Sequence, residues 1–292
     1  MIINIASINI NGINNEKKQM LLHAFINQHK LDIVYLQEHN IREDGKVNYL
    51  ERFYQVIINK SINMKGGTCI LIKRSLNYKI ERIEMSADSR IISVICNLQN
   101  KKIHLLNMYA QSGKNFYAAR EDFFDQELPY YLRHQTSNTF MGGDFNSVLS
   151  LNDVSNNSST HLSKTLLKLV RQSKIIDAWW IHNNRPQYTY VRQNYGSRID
   201  RFYINNKDNI NNSKLIHCSF TDHSAVIINV NINENISIGR SYWKLNTSLL
   251  MDENVKENFK NYWGYLKSLI YNYENELIWW ENCAKPKIKS FL

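Results

Sequence analysis

A succession of short apolar segments between Met1 and Val230 most strongly constrains what this chain can fold into. Some segments are uninterrupted and others alternate apolar with polar residues, and both patterns are typical of β-strands. A few longer windows have helical periodicity, so the pattern predicts a mixed α/β domain. The predicted strands are residues 2–8, 32–37, 54–59, 68–73, 90–98, 103–109, 139–142, 188–192, 198–204 and 225–230, and the predicted helices are residues 16–28, 116–132 and 162–173.

The connections depend on polar turn residues, because the chain has only ten glycines and three prolines. Asn, Asp and Ser tolerate left-handed backbone and bond to their own main chain. Residues 151–160 and 205–214 are predicted loops of this kind.

The character of the sequence changes after Asn231. A polar stretch extends to Gly239, and apolar residues then recur at helical spacing from Val255 to Tyr273. We therefore expect one domain over residues 1–232 and a helical extension over residues 233–292. The extension either packs against the domain or binds a partner.

The formal net charge of +10 favours a polyanionic partner, because Lys and Arg near a phosphate backbone release condensed counterions. A basic composition without such a partner is the alternative. The four cysteines lie far apart and indicate neither a zinc site nor a disulfide framework. No signal peptide or membrane-spanning stretch is visible, so we expect an intracellular protein without a membrane partner.

The strongest local motif is MGGDFNS at residues 141–147, where an apolar strand ends in two glycines and then presents Asp144 and Asn146. Residues two apart on a strand point the same way. A carboxylate and an amide placed together suit metal-assisted phosphate chemistry, since one can hold or deprotonate a water that the other orients. A simple turn cap is the alternative interpretation.

A second motif, FTDHSAV at residues 220–226, places Asp222 and His223 before an apolar strand. Asp200, in the segment RIDRF, can accept from the imidazole and fix its tautomer and charge. Two further strand ends carry polar groups, SINING at residues 7–12 and LQEH at residues 36–39. Glu38 in the latter is an oxygen ligand of the kind that Mg²⁺ prefers.

Together with Tyr109 at the end of another apolar strand, these motifs resemble the exonuclease III-like branch of the endonuclease/exonuclease/phosphatase superfamily. The resemblance is closest to the endonuclease domain of LINE-type non-LTR retrotransposons, with six motifs in the family's order. It implies a four-layer α/β sandwich of two packed, largely antiparallel mixed sheets flanked by helices. It also implies a Mg²⁺-dependent endonuclease that nicks one DNA strand and leaves a 3′-hydroxyl, with Mn²⁺ as a substitute.

The resemblance implies metal contacts at Glu38, Asp144, Asn146, Asp222 and Asn11. Asp144 would activate the attacking water, and Asn146 would assist it.

The remaining catalytic positions follow from the same resemblance. Asn9 would orient Asp144, and Tyr109 would contact the scissile phosphate. His223, held by Asp200, would bind or protonate phosphate oxygens.

One stretch departs from the family pattern of Tyr, a small or apolar residue, Pro and Asn. Here Tyr109 is followed by Ala110, Gln111 and Ser112. Ser112 can still donate to a phosphate, but Gln111 removes a rigid turn.

Residues 188–198 interleave tyrosines with Arg192 and Arg198 and are predicted to form a hairpin beside the DNA. An ordinary exposed hairpin is the alternative. The predicted DNA contacts are Ser112, Thr189, Tyr190, Arg192, Asn194 and Ser197.

The extension, with SYWKLN at residues 241–246 and Trp279-Trp280, resembles the segment before a reverse transcriptase in LINE polyproteins. We therefore expect double-stranded DNA, the element's own RNA and a downstream reverse transcriptase as partners, with nuclear action on chromosomal DNA. The alternatives are an abasic-site repair nuclease, an RNA deadenylase, a lipid or inositol phosphatase, or an inactive nucleic-acid-binding remnant.

Overall fold

The computed structural model describes residues 1–43, 45, 47–62, 65–155, 162–232, 249 and 251–291. The chain divides into two compact units, Met1–Asn233 and Glu234–Leu292. The end of the first predicted loop (156–160), the polar stretch at 233–239 and the segment at 241–246 lie outside the described residues.

The first sheet of the larger unit has six strands, β1 (Ile2–Asn9), β2 (Ile33–Gln37), β3 (Tyr54–Asn59), β4 (Thr68–Lys73), β13 (Ile210–His217) and β14 (Ser224–Asn231). Its order is β13-β14-β1-β2-β4-β3. The β1–β2 pair is parallel and the other pairs are antiparallel. The carboxyl ends of β1 and β2 therefore meet at one edge.

The second sheet also has six strands, β5 (Tyr78–Met85), β6 (Ile91–Leu98), β7 (Lys101–Tyr109), β8 (Thr139–Asp144), β9 (Ile176–Asp177) and β12 (Asp200–Ile204). Its order is β5-β6-β7-β8-β12-β9, with β7 and β8 parallel. The short strands β10 (Tyr190–Arg192) and β11 (Tyr195–Ser197) form a separate hairpin.

A shared apolar core lies between the two sheets. Ile5 and Tyr35 of the first sheet pack with Leu105, Phe140 and Phe202 of the second, and none of the five is more than 1% exposed. The Tyr35 hydroxyl donates to the Phe140 carbonyl at 3.0 Å, which satisfies a polar group inside this core and ties the sheets together.

Helices cover the outer faces of both sheets. α1 (Glu16–Gln28) and α2 (Asn48–Glu51) pack on the first sheet. The second sheet is covered by α3 (Tyr117–Asp122), a π-helical turn (Phe123–Glu127), α4 (Leu128–Leu132) and α5 (Lys164–Gln172), and α6 (Trp179–His182) follows β9. These four layers confirm the predicted α/β sandwich.

Two edge strands differ from the sequence prediction. β5 carries exposed charged residues, so it lacks the apolar pattern by which strands were predicted. The predicted loop at residues 205–214 is wrong from Ile210 onward, where β13 begins after a short 3₁₀ turn (Lys207–Asn209). Pairing with β14 supplies a tertiary hydrogen-bond partner that overrides the weak local propensity of an Asn-rich segment.

The described part of the second unit, residues 249 and 251–291, is helical, as predicted. Its elements are α7 (Glu253–Ser268), a 3₁₀ turn (Ile270–Asn272), α8 (Glu276–Trp279), a π-helical turn (Trp280–Ala284) and α9 (Lys285–Phe291). Leu266, Trp279, Cys283 and Ile288 form its core. Among the described helices, none combines the length and the apolar character that crossing a bilayer requires.

The tight contact between β7 and β8 gives a first prediction. Gly143 has a φ of 149°, and a Cβ atom there would lie 1.8 Å from the carbonyl oxygen of Met108. We expect Gly143→Ala to destabilise the protein by at least about 3 kcal/mol, because backbone on a neighbouring strand cannot yield. The measurement is urea unfolding followed by circular dichroism.

Gly264→Ala is the matched control, because a Cβ at that position in α7 meets nothing within 4 Å. It should stabilise its helix by about 1 kcal/mol, the difference in helix propensity between the two residues. Equal effects of the two substitutions would contradict the strand packing described above.

Candidate active site

Tyr109, Asp144 and Asp200 lie side by side at one end of the second sheet. In register, Tyr109 pairs with Asp144 on β8, and Asp144 pairs with Asp200 on β12. Directly paired residues point to the same face of a sheet and lie about 5 Å apart. Three polar side chains from distant parts of the sequence are thereby brought together.

Asp200 and His223 form a buried pair. The imidazole Nδ1 lies 2.9 Å from Asp200 Oδ2, with the side chains 8% and 0% exposed for His223 and Asp200 respectively. Burial alone lowers the pKa of His223, but the Asp200 carboxylate and its hydrogen bond, with Asp144 and Asp222, raise that pKa to about 10. The imidazole is therefore protonated at neutral pH, and its Nε2 remains as a second donor.

Asp144 is buried and has a raised pKa. Burial and the Asp200 carboxylate raise the pKa of Asp144 to about 7, against the opposing effects of His223 and of a hydrogen bond from Asn9. Asn146 donates to it twice, from its backbone nitrogen to Oδ1 at 2.8 Å and from Nδ2 to Oδ2 at 3.1 Å. The carboxyl group is thus fixed in orientation and can take up a proton near neutral pH.

Asn9 joins the two sheets at this end. Its Nδ2 donates to Glu38 Oε1 at 2.9 Å and to Asp144 Oδ2 at 3.0 Å. Because one amide nitrogen is shared by two carboxylates, it reduces their mutual repulsion and sets their spacing. Asn11 and Asp222 lie beside this group, linked by a hydrogen bond of 3.4 Å.

Three of these residues have left-handed backbone, with φ values of 46° at Asn11, 50° at Glu38 and 45° at Asn146. Asn adopts this conformation at low cost, but Glu does so rarely. The Gly12 nitrogen donates to the Glu38 carbonyl at 2.7 Å, and this bond links the loop after β1 to the loop after β2. Strained backbone of this kind is concentrated at functional sites.

The Tyr109 side chain lies near the carboxylates of Glu38 and Asp144. Burial raises the pKa of its phenol above the ordinary value, and the carboxylates of Glu38 and Asp144 raise it further. The hydroxyl therefore remains protonated and able to donate. The guanidinium of Arg90 lies 5.3 Å from the centre of its ring.

Some of these groups line a cleft of about 490 Å³, whereas Asn9, Tyr109 and Asp200 are buried and do not line it. The predicted site residues that line it are Asn11, Glu38, Ser112, Asp144, Asn146, Tyr190, Arg192, Asp222 and His223. Lys65, Gly113 and Ile199 also line the cleft and were not predicted from the sequence.

Lys65, which was not predicted from the sequence, precedes two glycines, and the first of them is hydrogen-bonded to Asn40 in the loop that carries Glu38. The Asn40 nitrogen donates to the Gly66 carbonyl at 3.0 Å, and the Gly66 nitrogen donates to Asn40 Oδ1 at 2.8 Å. Gly67 lies so close to the His39 ring that a Cβ would be 2.4 Å from it. A lysine followed by two glycines before a strand was the available sequence signal.

Two sets of groups have the chemistry to hold a cation. Asp144, Asp200 and His223 have potential ligand atoms within 4.8 Å of one another. However, His223 is bonded to Asp200 and protonated, so this set better holds a proton than a metal ion. The carboxylate and amide oxygens of Glu38, Asp144, Asn146, Asp222 and Asn11 suit a hard cation, and no sulfur ligand lies among them.

The hairpin residues divide into two groups. Arg192 and Asn194 are exposed, and the Tyr190 ring lies 4.9 Å from the His223 ring between centroids. Thr189 and Ser197 are each only 2% exposed. The Thr189 hydroxyl accepts from the Ile199 and Asp200 nitrogens at 3.1 Å each, so its predicted DNA contact is replaced by support of the Asp200 strand.

The buried position of Ser197 contradicts its predicted DNA contact in the same way. Its carbonyl accepts from the Thr189 nitrogen at 2.9 Å, and the residue pairs with Tyr190 inside the hairpin. Both residues hold the hairpin against β12. The sequence pattern did not distinguish inward from outward positions in so short a ribbon.

The charge of His223 gives a second prediction. In metal-free protein kept in EDTA, the His223 imidazole should be protonated at pH 8, because its pKa is raised to about 10. In Asp200→Asn the effect of burial is no longer offset by the nearest carboxylate, so the pKa should fall toward or below the ordinary value of about 6.5. Nitrogen NMR of the imidazole measures both, and a His223 that stays charged at pH 8 in the variant would contradict this account.

Residues 6–223 match the Endonuclease/Exonuclease/phosphatase family. A curated relative, the Transposon TX1 uncharacterized 149 kDa protein of Xenopus laevis, is 24% identical across 96% of this chain. The chain spans only 22% of the length of that relative.

Solved structures share the fold of the larger unit. An AP endonuclease from Archaeoglobus fulgidus superposes with a TM-score of 0.67 at 16% identity, covering 79% of this chain and 100% of that one. A 3′ phosphatase, NExo, from Neisseria, bound to a product DNA hairpin, superposes with a TM-score of 0.63 at 14% identity, covering 78% and 99%. With the family match over most of the larger unit, this chain belongs to the Endonuclease/Exonuclease/phosphatase family.

Proposed function

We propose that this protein is a Mg²⁺-dependent endonuclease that hydrolyses one DNA phosphodiester bond and leaves a 3′-hydroxyl, within a non-LTR retrotransposon polyprotein. The observation that carries the proposal is the meeting, in one solvent-open cleft, of the Asp144 carboxyl group, oriented by Asn9 and Asn146, and the His223 imidazole, which lies 2.9 Å from Asp200. Such a pair supplies a base for the attacking water and a charged hydrogen-bond donor for the phosphate oxygens.

The oxygen donors around Glu38 would hold the metal ion. Glu38, Asp144 and Asp222 provide carboxylates, and Asn11 and Asn146 provide amide oxygens, a set that fits Mg²⁺ or Mn²⁺. When bound, the ion supplies positive charge that stabilises a pentacovalent phosphate.

The chain's own residues carry the proton transfers. Asp144 accepts a proton from water as the water oxygen bonds to phosphorus, and the bond from phosphorus to O3′ breaks. O3′ takes up a proton from solvent, which yields a 3′-hydroxyl and a 5′-phosphate. Asn9 and Asn146 hold the Asp144 carboxylate toward that water.

Two donors face the phosphate oxygens. His223, protonated and fixed by Asp200, presents Nε2, and Tyr109 presents a hydroxyl that burial keeps protonated. Preorganised donors of this kind stabilise the charge that develops on the oxygens.

Double-stranded DNA is the proposed substrate. The net charge of +10 favours binding to a polyanion, and Arg192, Asn194 and Ser112 are exposed near the cleft. The similarity to a transposon protein several times longer supports a polyprotein context. We propose the element's own RNA and a downstream reverse transcriptase as further partners. We place its action on chromosomal DNA in the nucleus.

A repair-type phosphodiesterase is the second candidate. It is favoured by the likeness in fold to the AP endonuclease and the 3′ phosphatase. Comparing intact, abasic and 3′-phosphorylated DNA, with poly(A) RNA as a fourth substrate, separates these activities. Metal-independent DNA binding without cleavage would instead identify an inactive remnant.

A plasmid-nicking assay tests the proposed activity. Protein with Mg²⁺ should relax supercoiled plasmid, and EDTA should abolish this. Asp144→Asn and His223→Ala should each be slower by roughly 10²- to 10⁴-fold, the effect typical of acid and base groups.

Asp125→Asn is the control for Asp144→Asn, because it changes an exposed aspartate outside the cleft. It should nick at the wild-type rate. If all three variants nick equally fast, the site assignment is wrong.

DNA binding in EDTA tests the role of the cleft cations. Lys65→Met and Arg192→Met should each reduce the slope of log affinity against log salt concentration by about 0.9, the value for one lost phosphate contact. Lys79→Met, on the exposed edge strand β5, should leave the slope unchanged. Unchanged slopes in the two cleft variants would exclude phosphate contacts there.

A further inference from the structure

The loop at residues 110–113 connects Tyr109 to the helices that cover the second sheet. Ser112 and Gly113 in this loop line the cleft. Gly113 has a φ of 95°, so the loop contains a residue with wide conformational freedom. Gln111 does not restrict the backbone as a proline would.

The first half of the loop is fixed by residues already assigned to the site. The Ala110 nitrogen donates to the Asp144 carbonyl at 2.9 Å, and Asn146 Nδ2 donates to the Ala110 carbonyl at 2.9 Å. In the second half, the Ser112 side chain is hydrogen-bonded to Tyr109, and the Phe116 nitrogen donates to the Gly113 carbonyl at 3.3 Å.

Arg120 on α3 holds the second half. One guanidinium nitrogen donates to the Gln111 carbonyl at 2.6 Å and to the Gly113 carbonyl at 2.9 Å. The two carbonyls flank Ser112, so the bonds fix the backbone on either side of it.

The environment of Arg120 indicates that these bonds are its main role. The residue is 2% exposed, lies 4.7 Å from the Tyr117 ring centre, and has no ion pair within 4.0 Å among the described residues. A buried guanidinium without a paired carboxylate is costly. Among the described residues its hydrogen bonds go to the active-site loop, and the Asp144 and Glu121 carboxylates favour its charge electrostatically.

We propose that Arg120 is a positioning residue that holds the loop at residues 110–113 so that Ser112 and the Tyr109 hydroxyl face the phosphate. This inference rests on the proposed nuclease function. In this chain the buried Arg120 restrains the backbone of residues 111–113, as a rigid turn containing proline would. Arg120 does not itself reach the cleft, so it acts through the loop.

The test uses Arg120→Lys, which keeps the charge but ends one bond closer to the backbone, so that its nitrogen falls short of the position from which Nη1 reaches both carbonyls, and Arg120→Met, which removes both donors. Arg171→Met, on the exposed face of α5, is the matched control. Nicking is measured well below the melting temperature of each variant. We expect kcat to fall on the order of 10²-fold, as misplacement of reacting groups by about 1 Å does, with KM for DNA little changed.

Hydrogen–deuterium exchange of the DNA-free protein gives a readout that does not depend on activity. In Arg120→Lys the two amides bonded at the ends of the loop should exchange faster, those of Ala110, which donates to the Asp144 carbonyl at 2.9 Å, and Phe116, which donates to the Gly113 carbonyl at 3.3 Å, while those of β7 and β8 should be unchanged. Adding Gln111→Pro to Arg120→Lys should restore part of kcat, because proline restrains the same backbone. It should not restore the melting temperature. The loop can accept the proline, since the Gln111 nitrogen makes no backbone hydrogen bond in the described chain.

The outcomes separate this inference from the proposed function. Unchanged exchange of the Ala110 and Phe116 amides in Arg120→Lys overturns it, as does an equal fall of kcat in the Arg171→Met control. An Arg120→Lys protein that does not fold also overturns it, since Arg120 would then serve global stability. If wild-type protein does not nick DNA but the exchange result is as expected, the loop restraint stands and the nuclease proposal fails.

Discussion

The side-by-side placement of Asp144 and Asp200 on neighbouring strands is the constraint on which the rest of the site depends. Two buried carboxylates this close repel each other, and that repulsion contributes to the raised pKa of Asp144. The imidazolium of His223 and the amide of Asn9 offset it. The site is therefore a balanced set of charges in which removal of one member changes the protonation of the others.

The fold holds this placement from behind the cleft. Arg198 and Arg201, on either side of Asp200 in sequence, both bond to Asp153, at 2.7 and 3.0 Å, and Arg201 also donates to the Ser147 carbonyl at 2.7 Å. These buried bonds fix β12 to the loop that follows Asp144. Buried ion pairs add little net stability, but breaking one is strongly destabilising, so the spacing of the two carboxylates is firmly set.

Much of this could be predicted from the sequence, because each motif sits at the end of an apolar strand. The MGGDFNS and FTDHSAV segments identified Asp144, Asn146, Asp222 and His223, and all four line the cleft. Strand periodicity alone gives the faces of a sheet but not which strands are neighbours. The pairing of β7, β8 and β12 and the bridge from Asn9 to Glu38 are tertiary features that no local pattern encodes.

The failures have equally local causes. Thr189 and Ser197 lie in a hairpin whose sequence suggests exposure, yet their hydrogen bonds turn them inward. Lys65 has only the weak signal of two following glycines and Arg120 has no motif, and the folded chain places one at the cleft and the other behind its loop.

The central claim is that Asp144 and His223 act on one phosphate in one site, and a double-mutant cycle on the nicking rate tests it most directly. If the two groups act as a unit, the Asp144→Asn/His223→Ala double variant should be about as slow as the slower single variant, because coupled catalytic groups are strongly non-additive. If the two losses instead multiply, the residues act independently and the account of a single acid–base centre is contradicted.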